Sequence, residues 1–245
     1  MKIKINFQKE KLGLYPENKI KKSWNNAQIV STSVKPTIAK EGNRKVLQLG
    51  FSKGKFGKED KASWHINFKK SYEVMYCQYK VKFEKGFDWK LGGKLPGFGG
   101  GDKPGGGRQS KEGFSSRVMW REKGKMHQYV YYPENNAHYG KGFWWHNLCS
   151  NKMEQLRFKP GKWHTIKMKI KMNNNWKDPG HIISWLDGKL ALYQYIDLRE
   201  KNTKEYGVES FIFTVFFGGD DKSFAPRKDC KIYFDDFIIS DKDIK

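Results

Sequence analysis

Residues 92–132 read GGKLPGFGGGDKPGGGRQSKEGFSSRVMWREKGKMHQYVYY, a glycine-dense segment carrying Lys94 and then two β-patterned runs, 115–121 and 125–132, that meet at a short turn. Glu122, Lys123 and Gly124 between the runs have the length of a three-residue hairpin loop, and Gly124 is free to take the left-handed conformation such loops need. Loop length then sets the register. Arg121 falls opposite Lys125, Met119 opposite His127, Arg117 opposite Tyr129 and Ser115 opposite Tyr131, and directly opposed residues share a sheet face. One face therefore collects Ser115, Arg117, Met119, His127, Tyr129 and Tyr131. The other collects Ser116, Val118, Trp120, Met126, Gln128, Val130 and Tyr132, the more apolar set that belongs on a core. An ordinary solvated hairpin face satisfies the same pattern, since antiparallel sheets commonly wet one side.

The rest of the chain reads as strand after strand. Short β-like runs occupy 46–51 and 62–68, and 72–83 alternates Cys77, Tyr79, Val81 and Phe83 against Tyr76, Gln78, Lys80 and Lys82. The alternation at 163–172 is the cleanest, with His164, Ile166, Met168, Ile170 and Met172 against Thr165 and three lysines. Those lysines read as a solvated face, because alternating Lys also keeps exposed strands from sticking together. Asp187-Gly188 between apolar runs signals a two-residue hairpin. Residues 211–217, FIFTVFF, fit a central strand buried on both faces, and 231–240 form a last strand. Only 196–206 looks briefly helical, and 143–149 is aromatic but ambiguous. Asp220, Asp221, Asp235 and Asp236 read as turn and edge residues. Many short strands separated by turn signals predict an all-β fold, an antiparallel β-sandwich of jelly-roll type. The basic segment 1–44 is expected to pack on the domain edge, and 45–245 to form a single domain.

Composition narrows the function. Forty-eight Lys and Arg against 26 Asp and Glu give a formal charge of +22 in 245 residues, a field that concentrates polyanions of any kind. Nine Trp and an aromatic content of 16% suit sugar rings and bases alike. Cys77, Cys149 and Cys230 are widely spaced, so free, mostly buried thiols are expected rather than a disulfide framework or a zinc knuckle. The six histidines lack tight metal-ligand spacing, and no metal or cofactor is predicted. Residues 92–107 hold nine of the 25 glycines but lack the GK[ST] ending of a phosphate loop. They are read as a mobile flap whose bare backbone approaches a ligand closely. The N-terminus has no apolar core of signal-peptide length and no run approaches a membrane span. Synthesis in a cytoplasm without a signal peptide is expected.

The segment GGKLPGFGGG, followed by Ser115-Ser116-Arg117 and Tyr129-Val130-Tyr131, resembles polysaccharide lyase family 14, the alginate and polyglucuronate lyases of Chlorella viruses and marine molluscs. FFGGDDKSFAP and KIYFDDFIIS near the end of the chain are similar to the family as well, so the likeness spans roughly 45–240. The resemblance implies Lys94, Ser115, Arg117, Tyr129 and Tyr131 as the catalytic set. Four of these five are residues that hairpin parity had already put on one face. Lys103, Arg108 and His127 are expected to bind substrate. The implied reaction is β-elimination on a 4-linked polyuronate: the C5 proton beside the carboxylate is removed, the oxygen at C4 is expelled, and a C4–C5 double bond remains. Arg117 suits the carboxylate because its planar fork binds it bidentately. Tyr129 and Tyr131 are candidate acid and base on the expectation that nearby cations lower a phenol's pKa; whether Lys94 itself takes the proton stays open. An alkaline optimum and full activity in a chelator follow. The implied setting is a virus-encoded monomer attacking the acidic polysaccharide of a host cell wall, with no nucleic-acid or membrane partner. A non-catalytic sandwich module that binds acidic glycan fits the same residues, and a nucleic-acid binder fits the charge alone.

Overall fold

The computed structural model describes residues 1–174, 178–200 and 205–244. The first third of the chain runs β1 (Lys2–Ile5), β2 (Gly13–Leu14), α1 (Glu17–Ser23), β3 (Gln28–Thr32), β4 (Thr37–Glu41), β5 (Arg44–Phe51), β6 (Ala62–Tyr72) and β7 (Val74–Phe83). There follow β8 (Gly93–Gly101), β9 (Gly113–Trp120), β10 (Met126–Tyr131), β11 (Lys141–Trp144), β12 (Trp163–Lys171), β13 (His181–Leu186), β14 (Lys189–Tyr195), β15 (Val208–Phe217) and β16 (Cys230–Ser240). They build two antiparallel sheets packed as a jelly-roll sandwich. The larger is ordered β14-β13-β12-β7-β16-β5-β4-β2, with β1 also on β16; the smaller is β11-β10-β9-β8-β15-β6-β3.

Alternation puts the core between them. Met75, Cys77, Tyr79, Val81 and Phe83 of β7 point inward, as do Ile166, Met168 and Ile170 of β12. On the outward side Lys80 pairs with Asp236, Lys82 with Glu41, Lys167 with Asp243 and Lys171 with Asp178. These lysines are therefore not simply solvated. The segment before β5 enters both sheets, and α1 sets Ile20 into the core with Trp24 just beyond it, edge-on to Trp64 and Phe213. A helix there was not legible, because its seven residues carry only one full apolar anchor.

Two expectations change. Asp235 and Asp236 sit inside β16, which pairs with both β5 and β7, at a bulge where Asp236 has φ 52°; Arg44 binds both carboxylates. The described part of 196–206 is not helical, and 201–204 lie outside the described residues. The thiols are as expected, all three free and two of them, Cys77 and Cys230, buried, with Cys149 exposed.

The glycine run departs furthest. Gly93–Gly101 is not a flap but an interior strand between β9 and β15; only 102–112 is loop. Packing explains why a strand is written in glycine. A methyl group on Gly93 would strike the Trp120 ring, on Gly97 the Ser116 carbonyl, and on Gly100 the carbonyl of Gly207. Pro96, with no N–H for the ladder, falls where the register shifts between Lys94 and Gly97, as proline inside a sheet must.

Candidate active site

The hairpin register is the one that loop length dictates: Tyr129 opposite Arg117, His127 opposite Met119, Tyr131 opposite Ser115, with Lys123 and Gly124 at φ 56° and 74° closing the turn. The next strand extends these rows. Lys94 lies opposite Met119, Gly97 opposite Arg117 and Gly99 opposite Ser115, so the bulge in β8 keeps Lys94 in line with the β9 residues. On the other flank Gly142 of β11 lies opposite Tyr129. Glycines thus border the Tyr129–Arg117 row on both sides, Gly142 giving room to the His127 ring.

These rows face a cleft of about 700 Å³ lined by Lys94, Ser115, Arg117, Tyr129 and Tyr131. Lys103 and Arg108 reach it from the loop after β8; His65, Ile212, Thr214 and Phe216 line the opposite wall. His127 is not in the lining. It stacks behind Tyr129 at 5.8 Å and lies tilted against Trp144 at 5.1 Å, with its Nε2 buried and without a hydrogen-bond partner among the described residues. Burial, with Arg121 and Lys94 nearby, pushes its imidazole down to about 3, so it is a neutral support for the Tyr129 ring rather than a charged ligand.

The electrostatics are one-sided. Lys58, Lys61, Lys94, Lys103, Arg108, Arg117 and Arg121 line the cleft, and Asp220, which accepts from Tyr139 Oη at 2.8 Å, is its one acidic lining residue. Arg117 is 8% exposed, and among the described residues its guanidinium makes no ion pair or hydrogen bond; its Nε is unsatisfied. A buried guanidinium left this way costs several kcal/mol, roughly, unless an anion arrives. Lys94 is equally buried, its Nζ 3.7 Å from the Tyr129 ring centroid and 3.7 Å from Met119 Sδ. Burial first, then the charges of Arg117 and Arg121, hold its amine well below the ordinary lysine value. The ring face favours the ammonium by about 2 kcal/mol at such a site, which is the smaller effect beside full burial next to two cations.

The tyrosines are held by backbone. Gly140 N donates to Tyr129 Oη and Gly107 N to Tyr131 Oη, both at 3.1 Å, and the two hydroxyls are 3.3 Å apart. Tyr129 is raised above the ordinary phenol value, by burial first and then by its bond with Tyr131. This corrects the expectation of a lowered phenol: desolvation outweighs Arg117. Ser115 Oγ donates to the Pro104 carbonyl at 2.6 Å, so its proton tethers the loop, leaving its lone pairs to accept.

Arg121 shares the parity of Arg117 and was within reach of the sequence. Lys61 and His65 were not, because only the β15–β6 pairing brings them across, Ile212 facing His65. Burial and the charges of Lys103, Arg117 and Lys61 push His65 down to about 4.

The fold and the chain have known counterparts. Alginate lyase Aly36B superposes with a TM-score of 0.80 at 21% identity over 97% of this chain and 96% of that one. The marine PL-14 alginate lyase from Aplysia kurodai gives 0.74 at 26% identity, covering 94% and 97%. Alginate lyase vAL-1 from Chlorella virus gives 0.72 at 21%, covering 93% and 98%. A comparison with curated proteins finds no match. The model of the family Polysaccharide lyase 14 matches residues 39–237. That match begins in β4, ends in β16 and takes in Lys94, Arg117, Tyr129 and Tyr131, and on it the chain belongs to polysaccharide lyase family 14 and is a lyase.

Proposed function

We propose that the protein cleaves 4-linked polyuronates by β-elimination. The observation that carries this reading is Arg117, a buried cation with no counterion among the described residues, on the floor of a cationic cleft. A uronate carboxylate supplies the missing charge and accepts two parallel N–H bonds. Neutralised in this way, the carboxylate lets C5–H become acidic, and Arg117 then stabilises the enolate oxygens that develop.

Lys94 and Tyr129 have environments that push their proton affinities in opposite directions, and that divides the work. The amine of Lys94, neutral in its buried setting, takes the C5 proton. The electron pair of that C–H bond forms the C4–C5 double bond as the C4–O bond breaks. Tyr129, kept protonated, gives its proton to the departing oxygen, and Tyr131 holds the Tyr129 hydroxyl in place. Positioned proton transfer of this kind is worth about 10²–10⁴-fold. The arriving carboxylate also raises the proton affinity of Lys94 at the moment it acts as base.

The test is ultraviolet absorbance of purified protein incubated separately with alginate blocks and with polyglucuronate. Absorbance from the new double bond should rise on at least one polymer and disappear in Arg117→Ala, with large losses in Lys94→Ala and Tyr129→Phe. Retention on the polymer without any absorbance change would reduce the site to a binding surface.

A further inference from the structure

A second concavity, of about 860 Å³, opens beside the cleft, lined among others by Trp89, Lys90, Leu91, Lys123 and Lys228. Three separate segments cross from one hollow into the other. Leu91 precedes Gly93 and Lys94, Lys123 follows Arg121, and Lys228 follows Phe224. Where the chain passes from the cleft to the hollow at Arg121-Glu122, the Arg121 guanidinium lies 6.0 Å from the centroid of the Phe224 ring, both in the lining of the cleft. Arg117 to Arg121 is four residues of strand, roughly 13 Å at ~3.3 Å each. The second hollow therefore opens past the end of β9, at least about that far from Arg117.

Its construction is rigid and its charges are bare. Asp88, buried, accepts from the backbone N, Nε and Nη2 of Arg227 at 2.8, 3.0 and 2.8 Å, which pins the turn carrying Lys228. Trp89 is wedged among Phe83, Phe87 and Phe158, and its carbonyl accepts from Trp120 Nε1. Lys90 and Lys123 stand at φ 45° and 56°, where a lysine costs about 1–2 kcal/mol and glycine would be cheaper. Among the described residues neither they nor Lys228 makes an ion pair, unlike Lys80, Lys82, Lys167 and Lys171 on the outer face of the larger sheet. The one carboxylate lining the hollow that Arg227 does not bind is Glu122.

We propose that this hollow is a second binding site for the acidic glycan, gripping a uronate stretch of the same chain whose scissile residue lies over Arg117. The proposal rests on the polyuronate reading of the cleft. It makes the enzyme favour long chains over oligomers too short to reach past Arg121.

The experiment compares wild type with Lys90→Gln/Lys123→Gln/Lys228→Gln and with Glu122→Gln, on polymer and on tri- and tetrasaccharides of whichever uronate is cleaved. The triple variant should raise KM on the polymer about tenfold with kcat kept, an effect of the size expected for three exposed charges and shrinking with salt. Its kcat/KM on the short oligomers should not move. Glu122→Gln should lower KM on the polymer, a gain that misfolding cannot mimic. Equal loss on polymer and oligomer, or no change on either, overturns the proposal. Retention on alginate and polyglucuronate gels, measured in an Arg117→Ala background, reads the site without turnover. Weaker retention on adding the three Gln substitutions supports the second site even if no elimination is found, whereas unchanged retention overturns it even if elimination is confirmed.

Discussion

Arg117 carries a charge that nothing else in the described protein balances, so its replacement separates charge from shape. Arg117→Lys keeps the cation but loses the planar fork, and kcat should fall about 10²-fold, as when one oriented donor is removed from a transition-state site. Lys94 makes the second prediction, through pH. The base must be neutral, so activity rises with pH through the folded-state pKa of Lys94, which burial places below the ordinary 10.5. Tyr129 must keep its proton, and because its pKa is raised above 10.0 the alkaline side should hold beyond that point. A log kcat/KM profile with an ascending limb of unit slope below the normal lysine range checks this. An optimum on the acid side would contradict it.

At the level of elements, β8 is the strand whose glycines are required by neighbours rather than by turns. Gly97→Ala would press a methyl group into the Ser116 carbonyl and to 2.7 Å from Arg117 Cα. Backbone on an interior strand cannot give way, so the cost should be about 3 kcal/mol in urea unfolding, with activity lost through Arg117. Gly50→Ala, with nothing within 4 Å, serves as the neutral control. The same strand shows where sequence reading stops. The β9–β10 hairpin was legible because a three-residue loop and a period of two fix every pairing in it, and four catalytic candidates came with it. β8 was not, since nine residues rich in glycine carry no apolar alternation and resemble a loop. The far wall of the cleft was also hidden, because His65 joins it through a contact between strands distant in the chain.

Across the whole molecule the excess of positive charge is distributed unevenly. The outer face of the larger sheet ties Lys80, Lys82, Lys167 and Lys171 to carboxylates, while the cleft gathers seven lysines and arginines around one acid, so the field is focused where a polyanion must lie. Acid stability is the prediction at this scale. His127 and His65 have folded pKa values of about 3 and about 4 against 6.5 unfolded. The unfolded chain therefore binds protons more readily, and stability present above 6.5 is lost as pH falls towards those values. The loss should reach about 2 kcal/mol for each histidine by pH 5, seen as a falling Tm that flattens in His65→Gln and His127→Gln. One further consequence lies in the position of β16. It follows every other described strand of its sheet in sequence, yet it pairs with β5, β7 and β1 in the middle of that sheet. While the chain is still on the ribosome, that sheet has two halves and no spine, and β5 and β7 present bare edges until Cys230–Ser240 has emerged. Until then the nascent sheet is open to mispairing and to chaperone capture, and it closes only when β16 takes its place between them.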